Sequence, residues 1–255
     1  MPLRIAIAGK GGTGKTTLAS LLCRSLIARG TKPLLAVDAD PNSCLAERMG
    51  VQVERTIGQL REELRADPSR VPGGVPKGEW IETLINEQIA ESAGFDLVVM
   101  GRQEGPDCYC FINSLLRSCM DRLGEQYRAV VIDNEAGLEH LSRRSNGRVE
   151  ALLVVCSPTV LGARTAVRIT ELMRSLQLQV GAAYLVLNRC DGEPPADVAK
   201  ELSQTGLEIL ARVPDDPVLG QFEMEQKPLL EAPAESRAVA AVDALVDRLL
   251  DRRRT

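Results

Sequence analysis

Short apolar runs rich in β-branched residues alternate along this chain with longer stretches in which apolar positions recur every three or four residues. The runs Leu3 to Ala8, Pro33 to Val37, Asp96 to Met100, Ala129 to Ile132, Ala151 to Cys156, Ala182 to Leu187 and Glu208 to Val213 are mostly apolar throughout, as strands covered on both faces must be. Thr17 to Ala28 and Val160 to Leu176 carry helical spacing. The alternation predicts an α/β fold, a doubly wound, mostly parallel sheet of about seven to eight strands with helices on both faces. Ala66 to Gly78 holds Pro68, Pro72, Gly73, Gly74, Pro76 and Gly78 and reads as a surface loop. The rhythm resumes at Trp80, so residues 1–255 read as a single domain.

The first strand runs directly into Gly9-Lys10-Gly11-Gly12-Thr13-Gly14-Lys15-Thr16. Glycines at these positions let successive N–H groups turn toward phosphate oxygens, and the helix that follows adds its positive N-terminal end. Lys15 then supplies a cation to the β and γ phosphates, Thr16 a hydroxyl for Mg²⁺, and Thr17 a contact toward the α phosphate. The ligand this spacing specifies is a nucleoside triphosphate, with no preference among bases. Two acidic clusters, Asp38-Ala39-Asp40-Pro41 and Asp133-Asn134-Glu135-Ala136-Gly137, fall at predicted strand ends, where open α/β sheets bind ligands. Carboxylates there can orient the waters of Mg²⁺ or the water that attacks the phosphate.

Lys10 within the glycine loop, together with Asp38-Ala39-Asp40-Pro41, resembles the SIMIBI class of P-loop ATPases with a deviant Walker A motif, which includes the Min and Par positioning proteins and the nitrogenase iron protein. The resemblance spans nearly the whole chain. It implies an ATPase that forms ATP-dependent homodimers, with Lys10 reaching the phosphates of the opposite subunit. Asp40 would orient the catalytic water beside Lys10 and Lys15, Asp38 would help hold Mg²⁺, and Asp133 would be the switch carboxylate linked to that ion. The spacing from Asp133 to Gly137 is one residue longer than the shortest Asp-x-x-Gly switch. Asn188, Arg189, Pro214 and Asp215 follow two later strands and, by the same resemblance, would hold the adenine.

Composition narrows the partners. The net charge is -4 and aromatic residues make up 3%, which argues against a nucleic-acid surface. No apolar run reaches the roughly 20 residues of a membrane span, and Lys10 and Lys15 interrupt any signal-peptide pattern. The expected location is the cytoplasm, without stable membrane association. Seven cysteines cannot all pair with one another, and in a reducing compartment they are thiols or metal ligands. Cys23, Cys44, Cys119, Cys156 and Cys190 stand singly and read as small buried hydrophobes.

Cys108-Tyr109-Cys110 is different. Two thiolates do not complete a four-coordinate site, but a two-fold axis beside them would bring four together and make metal binding depend on dimer formation. This pair, with Leu115-Leu116-Arg117 and Asp133-Asn134-Glu135-Ala136-Gly137-Leu138-Glu139-His140-Leu141-Ser142-Arg143-Arg144, closely resembles the CooC family of nickel-insertion ATPases. The resemblance implies that Cys108 and Cys110 carry Ni²⁺, or Zn²⁺ at the same site, at the dimer interface. It further implies a client nickel enzyme, carbon monoxide dehydrogenase or acetyl-CoA synthase. Thiolates suit either ion, so the choice between them stays open. His140, the single histidine, reads as a partner contact or a polar surface residue in preference to a metal ligand, and Arg143, Arg144 and Arg148 as a solvated or partner-facing stretch.

Two rivals remain. A positioning or partition ATPase acting on membrane or DNA would need an anchor, and Ala238 to Leu250, ending in Arg252-Arg253-Arg254, has amphipathic spacing. The alternative for that segment is a terminal helix packed on the sheet with its arginines at the negative end of the dipole. An electron-transfer ATPase would hold an iron–sulfur cluster on four thiolates between subunits.

Overall fold

The computed structural model describes residues 2–67, 74–101, 122–135 and 149–254. Among them, eight strands form one sheet: β1 (Leu3–Gly9), β2 (Leu34–Ala39), β3 (Ala90–Ser92), β4 (Phe95–Val99), β5 (Ala129–Asn134), β6 (Val149–Cys156), β7 (Val180–Asn188) and β8 (Glu208–Val213). Their order across the sheet is β3-β4-β2-β5-β1-β6-β7-β8. All neighbours run parallel except the β3–β4 pair at one edge. The expected architecture and all seven expected strands are present. β3 was not foreseen, because three residues of which two are exposed leave no apolar run.

Residue alternation along the strands assigns the two faces. Leu3, Ile5 and Ile7 of β1 and Leu34 and Ala36 of β2 join one buried cluster, covered by α1 (Lys15–Ala28), α2 (Cys44–Met49) and the long C-terminal helix, α8 (Arg237–Arg254). Ala6 and Ala8 point the other way, into a cluster with α5 (Val160–Ser175) and α6 (Ala196–Ser203). On that second face Leu35 and Val37 pack with α3 (Ile57–Ala66) and α4 (Lys77–Asn86). α7 (Pro217–Met224) follows β8.

The reading of Ala66 to Gly78 as a loop is amended at both ends: α3 runs through Ala66, and residues 68–73 lie outside the described ones. α4 starts at Lys77, so Lys77 and Gly78 are helical, on the fixed φ of Pro76 at the N-cap. Cys23, Cys156 and Cys190 are buried as expected, whereas Cys44 is exposed, since it opens α2 on the solvent side. The amphipathic C-terminal segment packs on the sheet. Val239, Val242, Leu245, Val246 and Leu249 are all at most 5% exposed, and Arg248 donates to the Leu210 carbonyl at 2.6 Å. Among the described residues no helix is long and apolar enough to cross a membrane.

Candidate nucleotide site

The C-terminal ends of β1, β2, β5 and β7 converge on the start of α1. Gly14 precedes that helix with φ 88, a left-handed conformation, and gives it no side-chain cap, so the first N–H groups of α1 stay open toward solvent and any anion. A Cβ at Gly14 would also lie 2.2 Å from Asn188 Nδ2. Gly9 is constrained differently, because a Cβ there would meet the Val155 carbonyl oxygen at 2.5 Å. The loop between them closes on the Lys10 carbonyl, which accepts from Thr13 N at 3.3 Å, Thr13 Oγ1 at 2.8 Å and Lys15 Nζ at 3.5 Å. Lys15 is thereby held inside the loop and buried, while Lys10, Gly11 and Gly12 are exposed. The half-buried Thr16 and Thr17 stand in the first turn of α1.

Asp38 and Asp133 lie inside their strands rather than after them, because ladder pairing continues through Asp38↔Asp133 and Ala39↔Asn134. Parallel pairing in register sets the two carboxylates side by side. Asp38 is fully buried, its Oδ1 accepting from Asp40 N at 3.1 Å and its Oδ2 from Leu45 N at 2.9 Å. Burial pushes its pKa up to about 6; those two N–H donors oppose the rise and the Asp40 charge adds to it. Asp133 is 1% exposed, and neither of its carboxylate oxygens has a hydrogen-bond partner. Burial pushes its pKa up to about 7, and the Asp38 charge contributes in the same direction. The Thr16 hydroxyl beside it and the Lys15 ammonium act oppositely, Thr16 without a contact that meets hydrogen-bond geometry.

A buried carboxylate with two empty acceptor oxygens, next to a threonine hydroxyl and opposite a second carboxylate, suits a hard cation with oxygen ligands. The donor set thus fits Mg²⁺ with Thr16, Asp38 and Asp133. Asn134, which the sequence reading quoted without a role, is buried and donates to the Ile7 carbonyl at 2.9 Å, bracing β5 against β1. Asp40 is half-buried, and its Oδ1 accepts from Asn42 N and Asn42 Nδ2, both at 2.9 Å, which fixes the carboxylate at the edge of the loop.

A cleft continues from the loop over the first turns of α1. Gly14, Thr17, Asn188, Arg189, Pro214 and Asp215 line it, so four residues expected at the adenine are brought beside the phosphate loop. Asn188 Nδ2 donates to the Thr13 carbonyl at 2.8 Å and ties the end of β7 to the loop. Arg189 is exposed, at φ 55. Sequence reasoning missed Arg48 and Glu223, which face the same cleft and form an ion pair. No local pattern could have found a pair separated by 175 positions. Cys108, Cys110, Gly137, His140, Arg143, Arg144 and Arg148 lie outside the described residues, and among those described no cluster of three or more histidine, cysteine or acidic side chains could hold a metal.

Comparison with known proteins agrees with this geometry. Residues 5–229 match the family model of the CobQ/CobB/MinD/ParA nucleotide-binding domain. An uncharacterised ATP-binding protein of Methanocaldococcus jannaschii is 36% identical over 98% of this chain and 99% of its own length. The carbon monoxide dehydrogenase accessory protein CooC of Rhodospirillum rubrum is 31% identical over 69% of this chain and 71% of its own. Among solved structures, the septum site-determining protein MinD of Pyrococcus horikoshii, complexed with Mg-ADP, superposes with a TM-score of 0.69 at 22% identity, covering 98% of this chain and 96% of that one.

Proposed function

Because the chain belongs to the CobQ/CobB/MinD/ParA nucleotide-binding family, we propose that it is an Mg-ATP-dependent ATPase whose nucleotide state governs dimer formation and, through it, nickel delivery to carbon monoxide dehydrogenase or acetyl-CoA synthase. The observation that carries the ATPase reading is Asp133, buried beside Thr16 with both carboxylate oxygens unpartnered. Thr16, Asp38 and Asp133 would hold magnesium, which would supply neutralisation of the phosphate charge.

The protein's own groups divide the remaining work. The loop amides and the uncapped start of α1 receive the phosphates. Lys15 leaves the Lys10 carbonyl for the β and γ phosphates, and the exposed Lys10 extends to the nucleotide of a second subunit. Asp40, fixed by Asn42, orients the attacking water. Asn188, Arg189, Pro214 and Asp215 wall the adenine. Hydrolysis then changes the contact between subunits, and that change reaches the thiolates.

The nickel assignment is supported by the Cys108-Tyr109-Cys110 motif and by the extent of the match to the CooC protein. In this reading nickel is cargo, held by Cys108 and Cys110 from each of two subunits. The positioning-ATPase reading loses its candidate membrane anchor, since the apolar stripe of α8 is buried in the core, while the match to the MinD/ParA family supports that reading as well. Metal titration with and without ATP, following mass by light scattering, tests the proposal. Nickel at one ion per dimer, with assembly favoured by ATP, is expected. Cys108→Ser with Cys110→Ser should abolish nickel binding and leave nucleotide binding intact; stoichiometric nickel retained by that variant removes the metal assignment, whereas failure of the Lys15→Ala variant to lose ATP removes the ATPase one.

A further inference from the structure

The last turn of α2 faces the last turn of α7 across the nucleotide cleft. Arg48 Nη2 bonds Glu223 Oε1 there, the two side chains being 26% and 58% exposed. Both residues line the cleft with Leu21, Leu219 and Gly220. The helix that carries Arg48 is fastened at both ends. Its second residue, Leu45, donates its N–H to Asp38 Oδ2 at 2.9 Å. At its other end Gly50 caps it with φ 70 and packs so closely on Pro228 that a Cβ would come within 2.5 Å of that ring. One short helix therefore spans from the Mg²⁺ carboxylate to the outer wall of the cleft.

We propose that the Arg48–Glu223 pair is a latch over the base-binding end of the cleft, setting how fast nucleotide leaves, and that α2 ties this latch to Asp38. The proposal rests on the reading of this cleft as the nucleotide site. A base entering between α1 and α7 must pass a guanidinium and a carboxylate that hold each other. Once inside, it lies behind them. A ligand without a base, held by the loop amides alone, should be indifferent to the latch.

This difference supplies the test. In stopped flow, dissociation of N-methylanthraniloyl-ADP should speed about two- to fivefold in Arg48→Ala and in Glu223→Ala, the range of a partly exposed ion pair. The double variant should be no faster than either single one, and Arg48→Glu with Glu223→Arg should return toward the original rate. Tripolyphosphate affinity, measured by calorimetry, should stay unchanged in all of them. Unaltered dissociation, additive single effects, or a parallel loss of tripolyphosphate would each overturn the latch. If the unmodified protein binds neither probe, the nucleotide-site reading itself fails.

Discussion

Replacing Asp133 with asparagine should make the ligand-free protein more stable while removing its response to magnesium nucleotide. The folded-state pKa of about 7 stands roughly three units above the ordinary 3.8, and at about 1.4 kcal/mol per unit the buried charge costs about 4 kcal/mol. A protonated Asp133 is what the fold tolerates. Its contribution is fully present below the unfolded value of 3.8, erodes as pH rises, and is gone above about 7. Asparagine keeps the shape without the charge but brings amide donors whose burial costs about 1–3 kcal/mol, leaving a net gain of about 1–3 kcal/mol at pH 8. Urea unfolding in chelator at pH 8 and pH 5 measures this, with the gap between variant and parent narrowing at pH 5 as the parent carboxylate regains its proton. Mg-ADP at a hundred times its Kd should then add about 2.7 kcal/mol to the parent and little to the variant. A variant less stable at pH 8, or a gap indifferent to pH, would refute the account of Asp133 as an uncompensated buried charge awaiting a cation.

Three further outcomes are expected. Gly14→Ala, which meets both a left-handed φ of 88 and Asn188 Nδ2 at 2.2 Å, should lower nucleotide affinity more than about tenfold by calorimetry, since the loop must open to admit the methyl group. Asn188→Ala removes the 2.8 Å bond to the Thr13 carbonyl and should cost about 1 kcal/mol in urea unfolding, with KM for ATP raised. Val246→Asp puts a charge where the parent side chain is wholly buried and should destabilise by about 3 kcal/mol or more, while the parent protein, spun with vesicles and ATP, stays in the supernatant.

The glycine loop was legible because it is contiguous in sequence, and the structure places Gly9 to Thr16 at the junction of β1 and α1 as expected. The acidic residues were legible as types, but their juxtaposition was not, since Asp38 and Asp133 meet only through the register of β2 on β5. Likewise α2 and α3 went unread. α2 is six residues long, too short to display a period. α3 combines a Thr56 and Gln59 capping box with Ile57, Leu60 and Leu64 at helical spacing, but its ten residues end just before the proline- and glycine-rich stretch. Arg48 and Glu223 belong to the class that no local reading reaches, side chains drawn together by the packing of α2 and α7 around the same cleft.

Three donors, two from Thr13 and one from Lys15, already meet at a single oxygen of Lys10. The loop is therefore shaped during folding, and a phosphate chain arriving there has nothing to reorganise beyond swinging one ammonium group. Rearrangement on binding should then be confined to the far end of the groove, where the base is proposed to sit, and selectivity among nucleotides must reside there as well.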